Sequence, residues 1–320
     1  MSFSLKTKNE MSRILVDKDC CQTAELAALI RVGGSIEIKP EGKIGLKFST
    51  ENAQVARKVF ILIKKQFNLN TELLVRRKRR LKKNNNYLVI VPPENGAQIL
   101  LRELNIVHES RDEGIHLHYG INEKIIENFC CKKAYIRGAF LSGGYISDPE
   151  KNYHLEIVLQ NEKTAEDLSS LINTFDLNSK VLKRKDSYVV YLKEGEQIVK
   201  LLNIMGAHTA LLNLENVRIF KDMRNKVNRL VNCETANLGK TIEASLRQTE
   251  NILYIKNCIG LKHLSPPLKE IAELRLNFPD ANLRELGKMI DPPIGKSGVN
   301  HRLRKLESIA KELKKKRGDL

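Results

Sequence analysis

A stretch of 17 residues that occurs twice limits this chain more than any other feature. Cys20 to Ile36 reads CCQTAELAALIRVGGSI, and Cys130 to Ile146, 110 positions on with no gap, reads CCKKAYIRGAFLSGGYI. Cys20, Cys21, Ala24, Gly33, Gly34 and Ile36 return unchanged as Cys130, Cys131, Ala134, Gly143, Gly144 and Ile146. Leu26 and Ile30 return as the apolar Ile136 and Phe140. Whatever one copy forms the other should form too, so the chain is built around a duplicated unit.

The residues around each copy repeat as well. Residues 1–19 read as a tail or short helix. Residues 22–32 have helical spacing, with Gly33-Gly34 as a left-handed C-cap. Strands Ser35–Lys39 and Lys43–Ser49 follow across a Pro40–Gly42 turn, then a helix over 51–67, carried by Val55, Ala56, Val59, Phe60 and Ile63. A strand near Glu72–Arg77, another at Tyr87–Val91 and a helix over Gly96–Leu104 complete the unit. The second copy gives a helix over 132–142, strands Tyr145–Ser147 and Tyr153–Leu159, and a helix over 163–175. Phe67-Asn68-Leu69-Asn70 is echoed by Phe175-Asp176-Leu177-Asn178, and Tyr87-Leu88-Val89-Ile90 by Tyr188-Val189-Val190-Tyr191. The fold class is therefore α+β, a duplicated αββαββα unit related by a pseudo-twofold axis. Its boundaries are 20–106 and 130–212, with a linker at 107–129. From about Asn213 only helical patterns occur. Val217–Val231 reads as one helix, within a linker at 213–234, and Thr235–Ile259 as a second that opens an all-α domain over 235–320.

The chain carries a net charge of +17, which suits a polyanionic partner. Residues 221–320 hold 21 Lys and Arg against 12 Asp and Glu, while the first 220 hold 34 against 26. Positive charge is thus densest in the helical part. No run of 18 apolar residues and no apolar leader occur, so a cytoplasmic protein without a membrane span is expected. The six cysteines contain no C-x-x-C, and neighbouring cysteines rarely bond each other. Reduced, buried thiols are the expectation, with no disulfide framework, no zinc site and no cofactor. No metal spacing stands out among the histidines.

Within 282–315 the pattern is a helix-turn-helix. Asn282 and Glu285 have capping-box spacing, Pro292-Pro293 stops the helix they open, and Ser297 is an N-cap candidate for the next. In that last helix Val299, Leu303, Leu306, Ala310 and Leu313 make the buried stripe. The other side presents Lys296, Ser297, Gly298, His301, Arg304, Lys305 and Ser308, with Asn300 and Arg302 on the flanks. Arg and Lys suit guanine edges, Asn suits adenine, and a helix N-terminus suits a phosphate. The candidate DNA contacts are thus Lys296, Ser297, Gly298, Asn300, His301, Arg302, Arg304 and Lys305. Segment Asp291–Lys296 is longer than the usual turn between such helices. Further phosphate contacts could come from the basic run at Arg76, Arg77, Arg79 and Arg80, and from Arg224, Lys226, Arg229 and Lys240, although solvated surface explains them equally well.

The repeated helix with its terminal Gly-Gly resembles the LAGLIDADG motif of homing endonucleases. The second copy lays Ile136 to Gly144 onto that motif, and the first lays Leu26 to Gly34. The resemblance implies two motif helices side by side at the pseudo-twofold axis, with Ala27, Ala28, Gly138 and Ala139 allowing close approach. It also implies that the acidic metal ligands of the nucleases fall at Gly33 and Gly143. Glycine has no carboxylate, so no catalytic residue and no metal are expected. Glu37 and Asp148, beyond the helix ends, are the only nearby substitutes. The whole pattern, Cys20–Ser35, Cys130–Gly144, Asn232–Leu238 and Leu286–Glu307, resembles the WhiA family over nearly the full length. That resemblance implies a bacterial, non-enzymatic, sequence-specific protein that binds double-stranded DNA through its terminal helix-turn-helix. Its roles would lie in cell division and chromosome segregation, or in transcription regulation, including sporulation in some relatives. It would act at the nucleoid, beside transcription or cell-division proteins, and as a monomer, because the repeat is already a pseudo-dimer. A residual metal-dependent endonuclease and an RNA- or protein-binding adaptor are the alternative readings.

Overall fold

The computed structural model describes residues 1–39, 43–77, 85–110 and 114–317. The expected turn at 40–42, and Arg79 and Arg80 of the basic run, lie outside the described residues. Two compact units divide the chain, Met1–Lys221 and Asp222–Leu320.

In the first unit α1 (Phe3–Ser12) precedes the first copy. That copy runs α2 (Asp19–Gly33), β1 (Gly34–Ile38), β2 (Ile44–Thr50), α3 (Ala53–Phe67), β3 (Glu72–Arg77), β4 (Asn85–Val91) and α4 (Ala97–Glu103). A hairpin, β5 (Val107–Ser110) with β6 (Gly114–Leu117), follows. The second copy runs α5 (Phe129–Gly143), β7 (Gly144–Ile146), β8 (Leu155–Leu159), α6 (Glu162–Asn173), β9 (Lys180–Arg184), β10 (Ser187–Leu192) and α7 (Gly195–Met205). The duplicated αββαββα order is therefore real. The two antiparallel sheets have equivalent strand orders, β1-β2-β4-β3 and β7-β8-β10-β9. Alternation fixes their registers: along β8, Leu155, Ile157 and Leu159 face the core while Glu156 and Val158 are half-exposed. One hydrophobic core serves both copies, running from Met11 to Leu214.

Residues 107–129 are more than a tether. Val107 and Ile125 enter the core. Arg31 on α2 donates to the carbonyls of Asn105 (2.8 Å) and His118 (2.6 Å), which ties the hairpin to the motif helix.

Two local expectations change. Gly34 and Gly144 cap their helices with extended backbone, at φ −83° and −78°, not in the left-handed region. The glycines answer to space instead. A Cβ on Gly33 would stand 2.8 Å from Phe48 Cε2 and overlap Ser142 Oγ, and one on Gly143 would stand 2.7 Å from Val32 Cγ1 and overlap the Val158 carbonyl. The second change concerns the helices expected at Val217–Val231 and Thr235–Ile259. They are one helix, α8 (His208–Cys258). No proline and only Gly239 lie between Asn213 and Cys258, so nothing in the chain breaks the helix.

The second unit takes the rest of α8 with α9 (Pro266–Asn277), α10 (Leu283–Lys288) and α11 (Lys296–Arg317). Its core gathers Ile252, Ile255, Leu268, Ile271, Leu286, Ile290, Val299, Leu303, Leu306 and Ala310.

Candidate nucleic-acid interface

The helix-turn-helix is built from α10 and α11. The Asn282 side chain accepts from the backbone N–H groups of Arg284 (2.9 Å) and Glu285 (3.1 Å), and the Glu285 carboxylate accepts from the Asn282 N–H (2.8 Å). This reciprocal capping box fixes where α10 starts. The turn that follows, 289–295, folds back onto α10, with Ile294 N–H donating to the Gly287 carbonyl (3.0 Å). Gly287 must be glycine there, since a Cβ would overlap the Ile294 carbonyl and stand 3.2 Å from Val299 Cγ2. Helix α11 then begins at Lys296, with the Gly295 carbonyl accepting its first bond from Val299 N–H (3.2 Å). Ser297 is therefore inside the first turn and is not the N-cap. Val299, Leu303, Leu306 and Ala310 are buried and Leu313 is half-buried, so the apolar stripe of α11 faces α9 and α10.

Packing that stripe turns Lys296, Ser297, His301, Arg304 and Lys305 to solvent. Gly298 and Asn300 are half-buried, and Gly298 lies against Ile294. Arg302 faces the protein: its Nη1 donates to Glu270 Oε2 (3.3 Å) and to the Pro267 carbonyl (3.4 Å), holding α11 to α9. A groove of about 630 Å³ opens beside the N-terminal turns of α11 and along α8. Lys240, Arg247, Arg284, Lys296 and Arg304 line it, with Glu307 as its one acidic wall residue. Glu307 is held by Arg247 (3.5 Å). Beneath it Arg275 is buried, its Nη1 donating to the carbonyls of Pro279 (3.2 Å) and Ala281 (2.7 Å). Burial lowers the pKa of its guanidinium. The groove therefore offers several cations at one helix N-terminus, an arrangement suited to phosphate. Arg247 and Arg284 belong to it, although the apolar and basic patterning of α11 does not point to them. The signal available in the sequence is spacing: Arg247 lies two turns of α8 beyond Lys240, on the same side.

Among the other basic residues, Arg224, Lys226, Arg229 and Lys240 are exposed on α8. Arg76 and Arg77 are exposed at the end of β3, a strand with solvent on both faces.

The seam between α2 and α5 completes the picture. Ala27, Ala28 and Ala139 are fully buried, and a Cβ on Gly138 would overlap the Glu25 carbonyl and stand 3.0 Å from Ala28 Cβ. At the ends of both helices Gly33 and Gly143 leave no room for a Cβ, still less for a carboxylate. Glu37 is spent on Lys47 (3.4 Å), and Asp148 caps its own loop by accepting from Glu150 N–H (3.0 Å). Inside the seam lies a buried charge cluster that no sequence pattern announces. Arg137 makes a bidentate pair with Glu25, Nε to Oε1 (3.0 Å) and Nη2 to Oε2 (2.9 Å). Lys58 pairs with the same carboxylate and donates to the carbonyls of Met11 (3.2 Å) and Ile14 (2.8 Å). Burial lowers the pKa of the Lys58 ammonium, and Glu25 acts against it.

Fold and site together define a class: a duplicated LAGLIDADG-like unit joined to a helix-turn-helix domain. More narrowly, the chain belongs to the WhiA family. The WhiA N-terminal LAGLIDADG-like domain matches residues 19–107, the WhiA LAGLIDADG-like domain 132–224 and the WhiA C-terminal HTH domain 227–310. A protein of Thermoanaerobacter pseudethanolicus named "Probable cell division protein WhiA" is 60% identical over 317 residues, covering 99% of both chains. A protein of the same name from Alkaliphilus metalliredigens is 54% identical over 310 residues, covering 97% of this chain and 98% of its own. The crystal structure of full-length DUF199/WhiA from Thermatoga maritima shares the fold at TM-score 0.59 and 22% identity, over 98% of this chain and 99% of that one. Among the described residues no helix is long and apolar enough to cross a membrane.

Proposed function

We propose that this chain is a non-enzymatic, sequence-specific DNA-binding protein of bacterial cell division and chromosome segregation, or of transcription regulation. It would act as a monomer at the nucleoid. The observation that carries this reading is the exposed polar face of α11 beside a groove lined by six basic side chains, Arg275 among them. In a helix-turn-helix the second helix enters the major groove. Arg304 and Lys305 then stand where base edges or phosphates pass, while Lys240, Arg284 and Lys296 take the flanking backbone. Arg302 serves the protein and not the DNA. The names of the relatives support the cell-division setting. The duplicated unit would be a scaffold without nuclease activity, because Gly33 and Gly143 supply no metal ligand and admit none.

Fluorescence anisotropy with duplex DNA across a salt series tests the reading. Arg304→Ala should weaken binding by roughly 1–3 kcal/mol if it reads a base. Lys305→Ala should lower the slope of log affinity against log salt by about 1 if it meets a phosphate. Unchanged affinity and slope in both variants would remove this face from the interface. Chelator-sensitive nicking of plasmid DNA with Mg²⁺ or Mn²⁺ would overturn the non-enzymatic part. Stronger competition by structured RNA than by duplex DNA would favour an adaptor.

A further inference from the structure

The duplication retained four cysteines that DNA binding does not use. Cys20 and Cys21 occupy the second and third positions of α2, and Cys130 and Cys131 the same positions of α5. Because the two helices lie side by side about the pseudo-twofold axis, the vicinal pairs meet. All four sulfur atoms lie within 4.8 Å of one another. Cys21 and Cys131 are buried, Cys130 is half-buried and Cys20 is exposed.

We propose that these four cysteines form a structural tetrathiolate site for a single Zn²⁺ ion, which staples the two copies together at one end of the seam. The spacing selects a single tetrahedral ion over a cluster. A tetrahedron with zinc–sulfur bonds of about 2.3 Å has sulfur–sulfur edges of about 3.8 Å, so these thiols need only small movements to reach it. An iron–sulfur cluster would hold its cysteines farther apart, because its own iron and sulfide atoms stand between them. Soft thiolates in tetrahedral array favour zinc among common cellular ions. Four protein ligands leave no open position, which makes the site structural and not catalytic.

Charge agrees with this. Four thiols lose four protons on binding, and the resulting unit carries two negative charges. It sits at the positive N-terminal ends of α2 and α5, whose first N–H groups have no intrahelical partners. Lys18, Lys132 and Lys133 flank the pairs in sequence. The site lies about 18 Å along α2 from Gly33, at the rise of a regular helix. It is thus at the opposite end of the seam from the glycines that replace the nuclease ligands.

The test uses the full-length chain, expressed without a polyhistidine tag and purified under reducing conditions. Plasma mass spectrometry should find one zinc per chain. In the folded protein a thiol reagent should react with Cys233 and Cys258 and spare the other four, which a strong chelator should then expose. Cobalt replacement should give the visible absorption of a tetrahedral Co²⁺–thiolate centre. Cys21→Ser and Cys131→Ser should lose metal, while Cys233→Ser keeps it. The wild-type cobalt spectrum and thiol count stand even if the ligand variants fail to fold. A protein that purifies without zinc and takes up neither Zn²⁺ nor Co²⁺ would overturn the proposal. So would a disulfide across the seam in the reduced preparation, or iron with acid-labile sulfide in place of zinc.

Discussion

Replacing Glu25 by Gln keeps the side-chain shape and removes one charge, leaving Lys58 and Arg137 facing each other inside the seam. Glu25 is 1% exposed, Lys58 1% and Arg137 5%, so water cannot take over the lost role. Arg137 cannot shed its proton, and its remaining partner is the Met205 carbonyl at 3.5 Å. Breaking a buried pair in this way costs about 3–5 kcal/mol. For a unit of this size that corresponds to a melting temperature lower by about 6–20 °C. Lys58 adds a dependence on pH. The variant removes the two influences of Glu25 that hold the proton on Lys58 and leaves burial and Arg137, which both expel it. The folded pKa then falls further below the unfolded value, so the unfolded state binds more protons and stability rises with pH across that window. The deficit against wild type should therefore shrink as pH is raised. Calorimetry at several pH values measures both effects. Glu25→Leu combined with Lys58→Met and Arg137→Leu should recover most of the loss, since apolar replacement of a buried ion cluster is often neutral or better. If Glu25→Gln melts within about 2 °C of wild type, the reasoning is refuted, because the cluster would then contribute less than roughly 1 kcal/mol.

Further tests follow from the glycines. Gly143→Asp puts a carboxylate at the position that the LAGLIDADG resemblance aligns with the nuclease ligand, yet its Cβ has no space beside the Val158 carbonyl and Val32. It should gain no DNA cleavage and should lower stability by at least the roughly 1–3 kcal/mol of an overpacked core, seen as a lower melting temperature. Gly287→Ala should push the turn at Ile294 away from α10, weakening DNA binding in anisotropy measurements while circular dichroism shows the first unit intact.

Much of this architecture is legible in the sequence because it occurs twice. An isolated pattern of Gly-Gly and alternating apolar residues is ambiguous, but two in-step copies average out accidents, and the αββαββα order follows. The capping box at Asn282 and Glu285 and the apolar stripe of α11 are legible because they depend on neighbours three and four positions away. What escapes depends on residues far apart in the chain. Glu25 and Arg137 are 112 positions apart, and each resembles an ordinary solvated charge until α2 and α5 are laid together. The four thiols fail the C-x-x-C criterion for the same reason: their spacing is set by the pseudo-twofold axis and not by sequence. Helical spacing puts Arg302 on a flank of the polar side of α11, yet Glu270 lies within its reach on α9, a proximity that only packing creates.

The two copies diverge where symmetry cannot be kept. In the ungapped alignment Glu25 corresponds to Tyr135, and Arg137 to Ala27. A symmetric seam would carry either two Glu–Arg pairs or none, and only one pair is present. The second position is filled by Tyr135, which is buried. The four cysteines and the terminal Gly-Gly pairs, by contrast, are identical in the two copies. The charge pair is directional, because Lys58 stands on the Glu25 side alone. Exchanging the charges, Glu25→Arg with Arg137→Glu, retains a cross-helix pair but sets Arg beside Lys58. The double variant should therefore stay well below wild type in melting temperature. Adding Lys58→Met should bring much of the loss back. Recovery by the exchange alone would show that Lys58 contributes nothing and that the seam tolerates the pair in either direction.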